Sequence, residues 1–251
     1  MPLKPQPAYP TVPIPGALPG DGDPFTLPQG AFRLLVSGSP EPSSPALVSW
    51  LAARAEQVVA VDSGATACRR ADVVPDLLLG DLDSVPDEVR SWCASQGVAE
   101  KTTNWDKDET DLELALDFLE EETPADFTAV TCGTGGRLDQ LLASLGSVAS
   151  HPRQAPVLVE DGMLALVLCA GGRRSAVRLA DVGCVAGTTF SVIGLMGRAR
   201  VTEKGTRWDV ESKVFPALSN QGVSNYVVDP GRAQVSVEEG IALLVLPRTG
   251  R

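Results

Sequence analysis

Leu77-Leu78-Leu79-Gly80-Asp81-Leu82-Asp83-Ser84 reads as a short buried strand that runs directly into a turn carrying two carboxylates. A D-x-D on extended chain points both acids to one side. Working outward, Val58 to Val61 reads as another buried strand, ending at Asp62-Ser63-Gly64, so two strands deliver a carboxylate at their exits. Phe32 to Ser37 is a further strand candidate, followed by Gly38-Ser39-Pro40 and then by Ser44-Pro45. Serine at an N-cap with proline at the first helical position predicts a helix over 46–56.

Further along, Thr110 and Glu113 make a T-x-x-E capping box, and Leu112, Ala115, Leu116 and Leu119 recur at helical spacing. Asp111 therefore belongs to the first turn of a helix, beside the acidic run Lys107-Asp108-Glu109. Phe127 to Cys132 reads as a strand, and the turn Gly133-Thr134-Gly135-Gly136 after it feeds a helix from about Leu138 to Val148. Alternation of strands and helices predicts a largely parallel, doubly wound α/β sheet, whose ligands bind beyond the carboxyl ends of the strands. Acids gathered there suit a magnesium-bound polyphosphate, because Mg²⁺ prefers hard oxygen ligands and usually takes one or two carboxylates plus substrate phosphates. Past Pro156 the helical period fades. Thr188 to Ile193, Ala199 to Thr202, Gln234 to Val237 and Ile241 to Leu246 read as antiparallel strands punctuated by glycine, so the last third is expected to be all β.

The 251 residues carry a formal charge of −11, which argues against a nucleic-acid binder, since phosphate backbones are held mainly by Lys and Arg. An anionic substrate then needs a metal to screen it. Cys68, Cys93, Cys132, Cys169 and Cys184 are odd in number and lack a C-x-x-C pair, so reduced thiols are expected rather than a disulfide framework or a zinc site. Residues 1–30 are rich in Pro and Gly without an apolar h-region and read as a poorly ordered tail. The longest apolar run, Met163 to Ala170, is too short to span a bilayer, and a soluble cytoplasmic protein is expected.

Acidic residues in loops are usually turns or caps, and that reading is preferred for Asp76, Asp87, Asp106 and Asp161. Gly133 to Gly136 is by composition a flexible connection, but Arg137 beside a helix start makes it a candidate phosphate site. Neither a Walker-type loop nor a dinucleotide fingerprint is present. His151, the single histidine, follows no motif and is expected in a surface loop, while Trp208 and Ser224-Asn225 read from physics alone as core and turn.

Taken in order, Asp62-Ser63-Gly64, Pro75-Asp76, Gly80 to Ser84, Lys107 to Asp111, Gly135 to Gln140, Gly205-Thr206-Arg207-Trp208 and Gly222-Val223-Ser224-Asn225 resemble the thiamine pyrophosphokinase family. The resemblance covers nearly the whole chain after residue 30. It implies an α/β nucleotide-binding catalytic domain over 31–172 and a β-sandwich over 173–251 that binds thiamine and dimerises. It also implies a homodimer with inter-subunit sites and transfer of pyrophosphate from ATP to the hydroxyethyl group of thiamine, releasing AMP. On this reading Asp81, Asp83 and Asp111 are catalytic and hold Mg²⁺, with Asp83 the candidate to orient or accept the hydroxyl proton. Asp62, Asp108, Gly135, Gly136 and Arg137 line the ATP site. Asp139, Gln140, Trp208, Ser224 and Asn225 serve thiamine, Trp208 by stacking on a cation. Leu82 stands where many members carry Phe, Ser63 replaces a common Gly, and Gln140 replaces the His of many bacterial members. Two other readings stay open: a pyrophosphokinase for another hydroxymethyl heterocycle such as a pterin, and a non-catalytic nucleotide- or thiamine-binding regulator.

Overall fold

The computed structural model describes residues 26–102, 109–122 and 125–247. Asp108 and most of the N-terminal tail fall outside them. The first part of the chain alternates as expected: β1 (Phe32–Val36), α1 (Pro45–Ala52), β2 (Gln57–Val61), α2 (Gly64–Arg70), β3 (Leu77–Gly80), α3 (Asp87–Ser95), β4 (Ala99–Thr102), α4 (Asp111–Glu121), β5 (Phe127–Thr131), α5 (Leu138–Ser150) and β6 (Val157–Glu160). Strands then follow one another: β7 (Met163–Cys169), β8 (Ala176–Arg178), β9 (Thr189–Gly194), β10 (Arg198–Lys204), β11 (Val210–Pro216), β12 (Asn225–Tyr226), β13 (Gln234–Glu239) and β14 (Ile241–Pro247).

β6, β5, β1, β2, β3 and β4 lie side by side in that order, all parallel. The chain leaves β1 toward β4 on one side and returns to β5 and β6 on the other, so the order reverses between β1 and β5. That reversal opens a crevice at the carboxyl ends. β4 closes the outer edge with exposed Glu100 and Lys101, charges that discourage further strand pairing. The same sheet continues antiparallel through β7, β14, β9 and β12, giving ten strands in one sheet. A second sheet, ordered β11, β10, β13, β8, packs on that antiparallel half to form the sandwich.

Two apolar clusters explain the layers. On one face, Leu47, Val48 and Leu51 of α1, Ala67 and Cys68 of α2 and Val89 and Cys93 of α3 cover Leu34, Val36, Ala60 and Leu78. On the other, Leu112, Ala115, Leu116 and Leu119 of α4 cover Leu35, Val59, Val61 and Leu79. Alternate residues of each strand thus feed opposite faces, as a twofold side-chain period requires. β7 shows the same rule across the sandwich: Leu164, Leu166 and Leu168 join the first cluster and Ala165 and Val167 the second. Each fully buried leucine contributes about 1.5–3 kcal/mol.

Local chemistry sets the helix ends. Ser44 Oγ accepts from Leu47 N at 3.3 Å and Pro45 opens α1. α1 stops at Ala52, short of the expected 56, because Glu56 N is already bonded to Phe32 O at 2.8 Å as the chain enters β2. Thr110 Oγ caps α4 by accepting from Glu113 N at 3.2 Å. His151 departs from expectation: it is 4% exposed, packed where α5 ends against α4, and not in a surface loop. The cysteines are free thiols, and burial raises those of Cys132 and Cys184 to about 12, which leaves them inert. No helix among the described residues is long and apolar enough to cross a membrane.

Candidate active site

A cavity of about 660 Å³ opens at the carboxyl ends of β1, β2 and β3. Its walls come from Ser37 to Pro40 after β1, Asp62 and Ser63 after β2, Ser84 after β3, Thr110 and Asp111 at the start of α4, and Arg137 and Gln140 at the start of α5. Asp62 leaves β2 in the left-handed region, φ 48°, with its amide bonded to Leu79 O at 2.8 Å. Oxygens of Asp62, Asp81 and Asp83 lie within 4.8 Å of one another. Asp81 Oδ1 accepts from Asp83 N at 3.1 Å and Asp83 Oδ1 from Ser84 Oγ at 2.9 Å, so the turn after β3 is braced by its own carboxylates.

Gly80 lies between Asp62 and Asp111. A Cβ there would sit 3.2 Å from Asp62 Cβ and 3.4 Å from Asp111 Oδ1, on a backbone at φ 143° that other residues avoid. The acids are thereby packed close, and the electrostatics record it. Burial pushes the Asp62 carboxyl up from its usual range, repulsion from Asp111 and Asp81 adds to the rise, and bonds from Ser63 and Ser84 oppose it. Its Oδ1 is buried without a hydrogen-bond partner. A buried orphan carboxylate oxygen among neighbouring carboxylates is a donor set for a hard divalent cation, and Mg²⁺ fits it. Asp62, assigned from sequence to the nucleotide, thus stands in the carboxylate cluster beside Asp81 and Asp83.

The glycine turn is packed, not loose. Side chains at Gly135 and Gly136 would run into Ser39, Pro40 and Glu41 of the β1–α1 loop, and Gly136 has φ 81°. Sequence reasoning missed what holds the other side. Glu160, at the end of β6, accepts from Gly133 N at 2.8 Å, from Cys132 N at 3.1 Å and from Ser43 Oγ. Asp161 accepts from Ser44 N at 2.6 Å and Ser44 Oγ at 2.7 Å, a structural role in keeping with expectation. These two adjacent acids tie both cavity loops to the end of one strand. Arg137 caps α5 with its guanidinium on Asp139, at 3.1 and 2.6 Å, and that cation lowers the Asp139 pKa. Arg70 of α2, also missed, lines the same cavity and has no ion pair among the described residues.

The second group of expected residues is built elsewhere. Trp208 is 51% exposed, not a core residue, and meets Tyr226 edge-on at 5.9 Å. It borders a separate cavity of about 340 Å³ with Glu203, Lys213, Phe215, Val223 and Asn225. Asn225 is 5% exposed and fully engaged within the chain. Its Nδ2 donates to Glu203 Oε2 at 2.6 Å, Thr206 Oγ1 at 3.1 Å and Trp208 O at 3.1 Å, and its Oδ1 accepts from Trp208 N at 3.2 Å and Tyr226 N at 2.9 Å. The geometry gives Asn225 the task of holding the Trp208 loop. Glu203, missed by sequence reasoning, is 2% exposed, and burial raises its pKa to about 7. Ser224 is exposed, with φ 63°. Gln140 lines the larger cavity, and its N donates to Asp139 Oδ1 at 3.0 Å.

This arrangement of acids at the switch point can be compared with known proteins. The family profile described as "Thiamin pyrophosphokinase, catalytic domain" matches residues 48–159, the span that carries Asp62, Asp81, Asp83, Asp111 and Arg137. Residues 48–159 are thus similar to the thiamin pyrophosphokinase catalytic domain. A thiamine pyrophosphokinase of Bacillus subtilis is 31% identical over 111 residues, 44% of this chain and 51% of that protein. Thiamine pyrophosphokinase 3 of rice is 28% identical over 99 residues, 38% of this chain and 37% of that protein. The matched stretch thus spans about half or less of these relatives. In fold the likeness runs much further. The thiamine pyrophosphokinase structure from B. subtilis covers 87% of this chain and 99% of its own at a TM-score of 0.69 and 20% identity. The one from Candida albicans covers 86% and 90% at 0.65 and 17% identity. The fold, a parallel α/β sheet followed by an antiparallel sandwich, is therefore shared with these thiamin pyrophosphokinase structures over most of the chain.

Proposed function

We propose that the chain transfers pyrophosphate from ATP to the hydroxyethyl oxygen of thiamine, giving thiamine diphosphate and AMP. The observation that carries this reading is the cluster of Asp62, Asp81 and Asp83, with Asp111 across Gly80, at the mouth of a switch-point cavity within the family-matched segment. These four acids are the set that would hold Mg²⁺, with Asp108 kept at the ATP site, as the sequence resemblance implies. When bound, the metal screens the phosphate oxygens so that an alcohol oxygen can approach phosphorus in line. The protein's own tasks are positional. The Gly135-Gly136 turn lets the polyphosphate approach backbone, and Arg137 exchanges Asp139 for phosphate, whose oxygens suit the same guanidinium fork. Arg70 supplies a second cation from α2. An alcohol is a weak nucleophile, and Asp83 is the residue we assign to orient its hydroxyl.

We assign thiamine to Trp208, Ser224, Asp139 and Gln140, with Asn225 acting by holding Trp208. Residues 31–172 then serve the nucleotide, while 173–251 present the vitamin and dimerise. The exposure of Trp208 and its place on a cavity apart from the acids support a site completed by a second copy, as in a homodimer. Free cysteines support a reducing, cytoplasmic setting. The test is incubation of the purified chain with ATP, Mg²⁺ and thiamine while resolving AMP from ADP. AMP and thiamine diphosphate in equal amounts are expected. ADP with thiamine monophosphate, or no product, overturns the reading.

A further inference from the structure

Outside the proposed active site, the one histidine of the chain lies in an arrangement that a neutral ring cannot satisfy. His151 caps the C-terminus of α5, with Nδ1 at 2.8 Å from Ser147 O and Nε2 at 3.0 Å from Asp117 Oδ1. Glu113 Oε1 lies 3.9 Å from Nδ1. A carbonyl and carboxylates only accept, whereas a neutral imidazole has a single N–H to give. Whatever completes this buried contact must bring positive charge, as a proton or as a metal ion. One turn further along α4, Glu120 faces the same way as Asp117, being three residues on. Asp117, Glu120 and His151 each offer a ligand atom within 4.8 Å of the others.

We propose that Asp117, Glu120 and His151 form a second cation site, for a transition-metal dication of the Zn²⁺ class, that pins α4 to α5. Two carboxylates and one imidazole are a donor set for Zn²⁺, with a fourth position left for water. Mg²⁺ prefers oxygen alone, so this site differs in chemistry from the cluster around Asp62. The bond from Nδ1 to Ser147 O is the arrangement of metal-bound histidines, which donate their other ring N–H to a carbonyl or carboxylate and so fix the ring. Asp117 and Glu120 are exposed while the ring is buried, which gives an ion a path from solvent to a rigid ligand. Of the two helices so joined, α4 begins at Asp111 and α5 is preceded by its N-cap Arg137, both on the proposed catalytic cavity.

A single histidine makes the test clean. Full-length protein labelled with ¹⁵N in histidine alone shows one pair of ring nitrogens, which are followed during titration with Zn²⁺ at neutral pH. The expected result is a saturable change at Nε2 at one ion per chain, with a melting temperature that rises with zinc by mass action. The change should persist in D81N/D83N, which alters only the other acidic cluster. It should vanish in D117N/E120Q, whose altered side chains are at the surface and leave the buried ring in place. Ring nitrogens indifferent to zinc would overturn the proposal and leave a buried imidazolium held to Asp117 by a proton. A zinc response that survives D117N/E120Q would overturn it too.

Discussion

Asp62 carries its chemistry in one backbone angle: left-handed at φ 48°, it ends β2 and brings its carboxylate to those of Asp81 and Asp83. Carboxylates that exist to hold a cation should be dispensable for folding and indispensable for turnover. D81N or D83N is expected to lower turnover by roughly 10²-fold or more with the melting temperature nearly unchanged, checked by steady-state rates at limiting Mg²⁺. Near-normal rates in either variant would remove it from the metal set. Glu203 is a different case, an acid whose burial raises its pKa from 4.5 to about 7. The folded state therefore binds the extra proton between those values, so stability falls as pH rises through that window, and the cost is full above about 7. E203Q, which keeps an acceptor for Asn225, should be more stable than wild type by up to about 3 kcal/mol above that pH. The two should converge below about 4.5, as denaturant unfolding across pH would show. The strand-exit acids were legible because Asp62 and Asp81 each close an apolar run at a turn that contains glycine, Gly64 in one and Gly80 in the other. Glu160, Glu203 and Arg70 were not, because their meaning lies in what the fold brings beside them: Glu160 meets Ser43, 117 residues away, and Arg70 reaches the cavity from α2.

Elements were legible where local chemistry announces them. The T-x-x-E box did predict α4, and Thr110 caps it. α2 and α3 went unread, the first a seven-residue helix with no side-chain cap and the second opened by Pro86 without a capping hydroxyl. For the glycine turn, composition could indicate flexibility but not the neighbour that removes it, since the Ser39 to Glu41 loop follows β1, which lies beside β5 in the sheet but far before it in the sequence. G136A tests that packing. It should cost about 1–3 kcal/mol for the strained backbone, with a further loss from the clash with Pro40. The KM for ATP should rise more than that for thiamine. G97A is the matched control, with φ 76° and open space around the missing Cβ, so it should show the backbone cost alone and no change in KM. Equal stability losses in the two variants would mean that the turn is not packed as described.

For the whole molecule, the vitamin and the acids are predicted to meet only when two copies assemble. W208A should weaken thiamine by about 1 kcal/mol or more while leaving ATP affinity within experimental error, measured by calorimetry. If Trp208 crosses to the partner's cavity, mixing inactive W208A with inactive D81N should restore part of the activity once subunit exchange is verified by mass. Verified mixed dimers without product would place Trp208 and the acids of one copy in the same site. The order of the strands could not be read from sequence, since β14 closes against β7 and β9 from the far end of the chain. That closure makes the large sheet unbroken, with β6 pairing β5 on one side and β7 on the other. The family match ends at residue 159, inside β6, and therefore not at a seam in the fold. A recombinant fragment cut there would lose the Glu160 tether on both cavity loops and bare a wholly apolar strand as an open edge. Such a fragment should collect in inclusion bodies when expressed alone, so a soluble, autonomously folding nucleotide unit has to carry β7 and a strand in place of β14 to cover it.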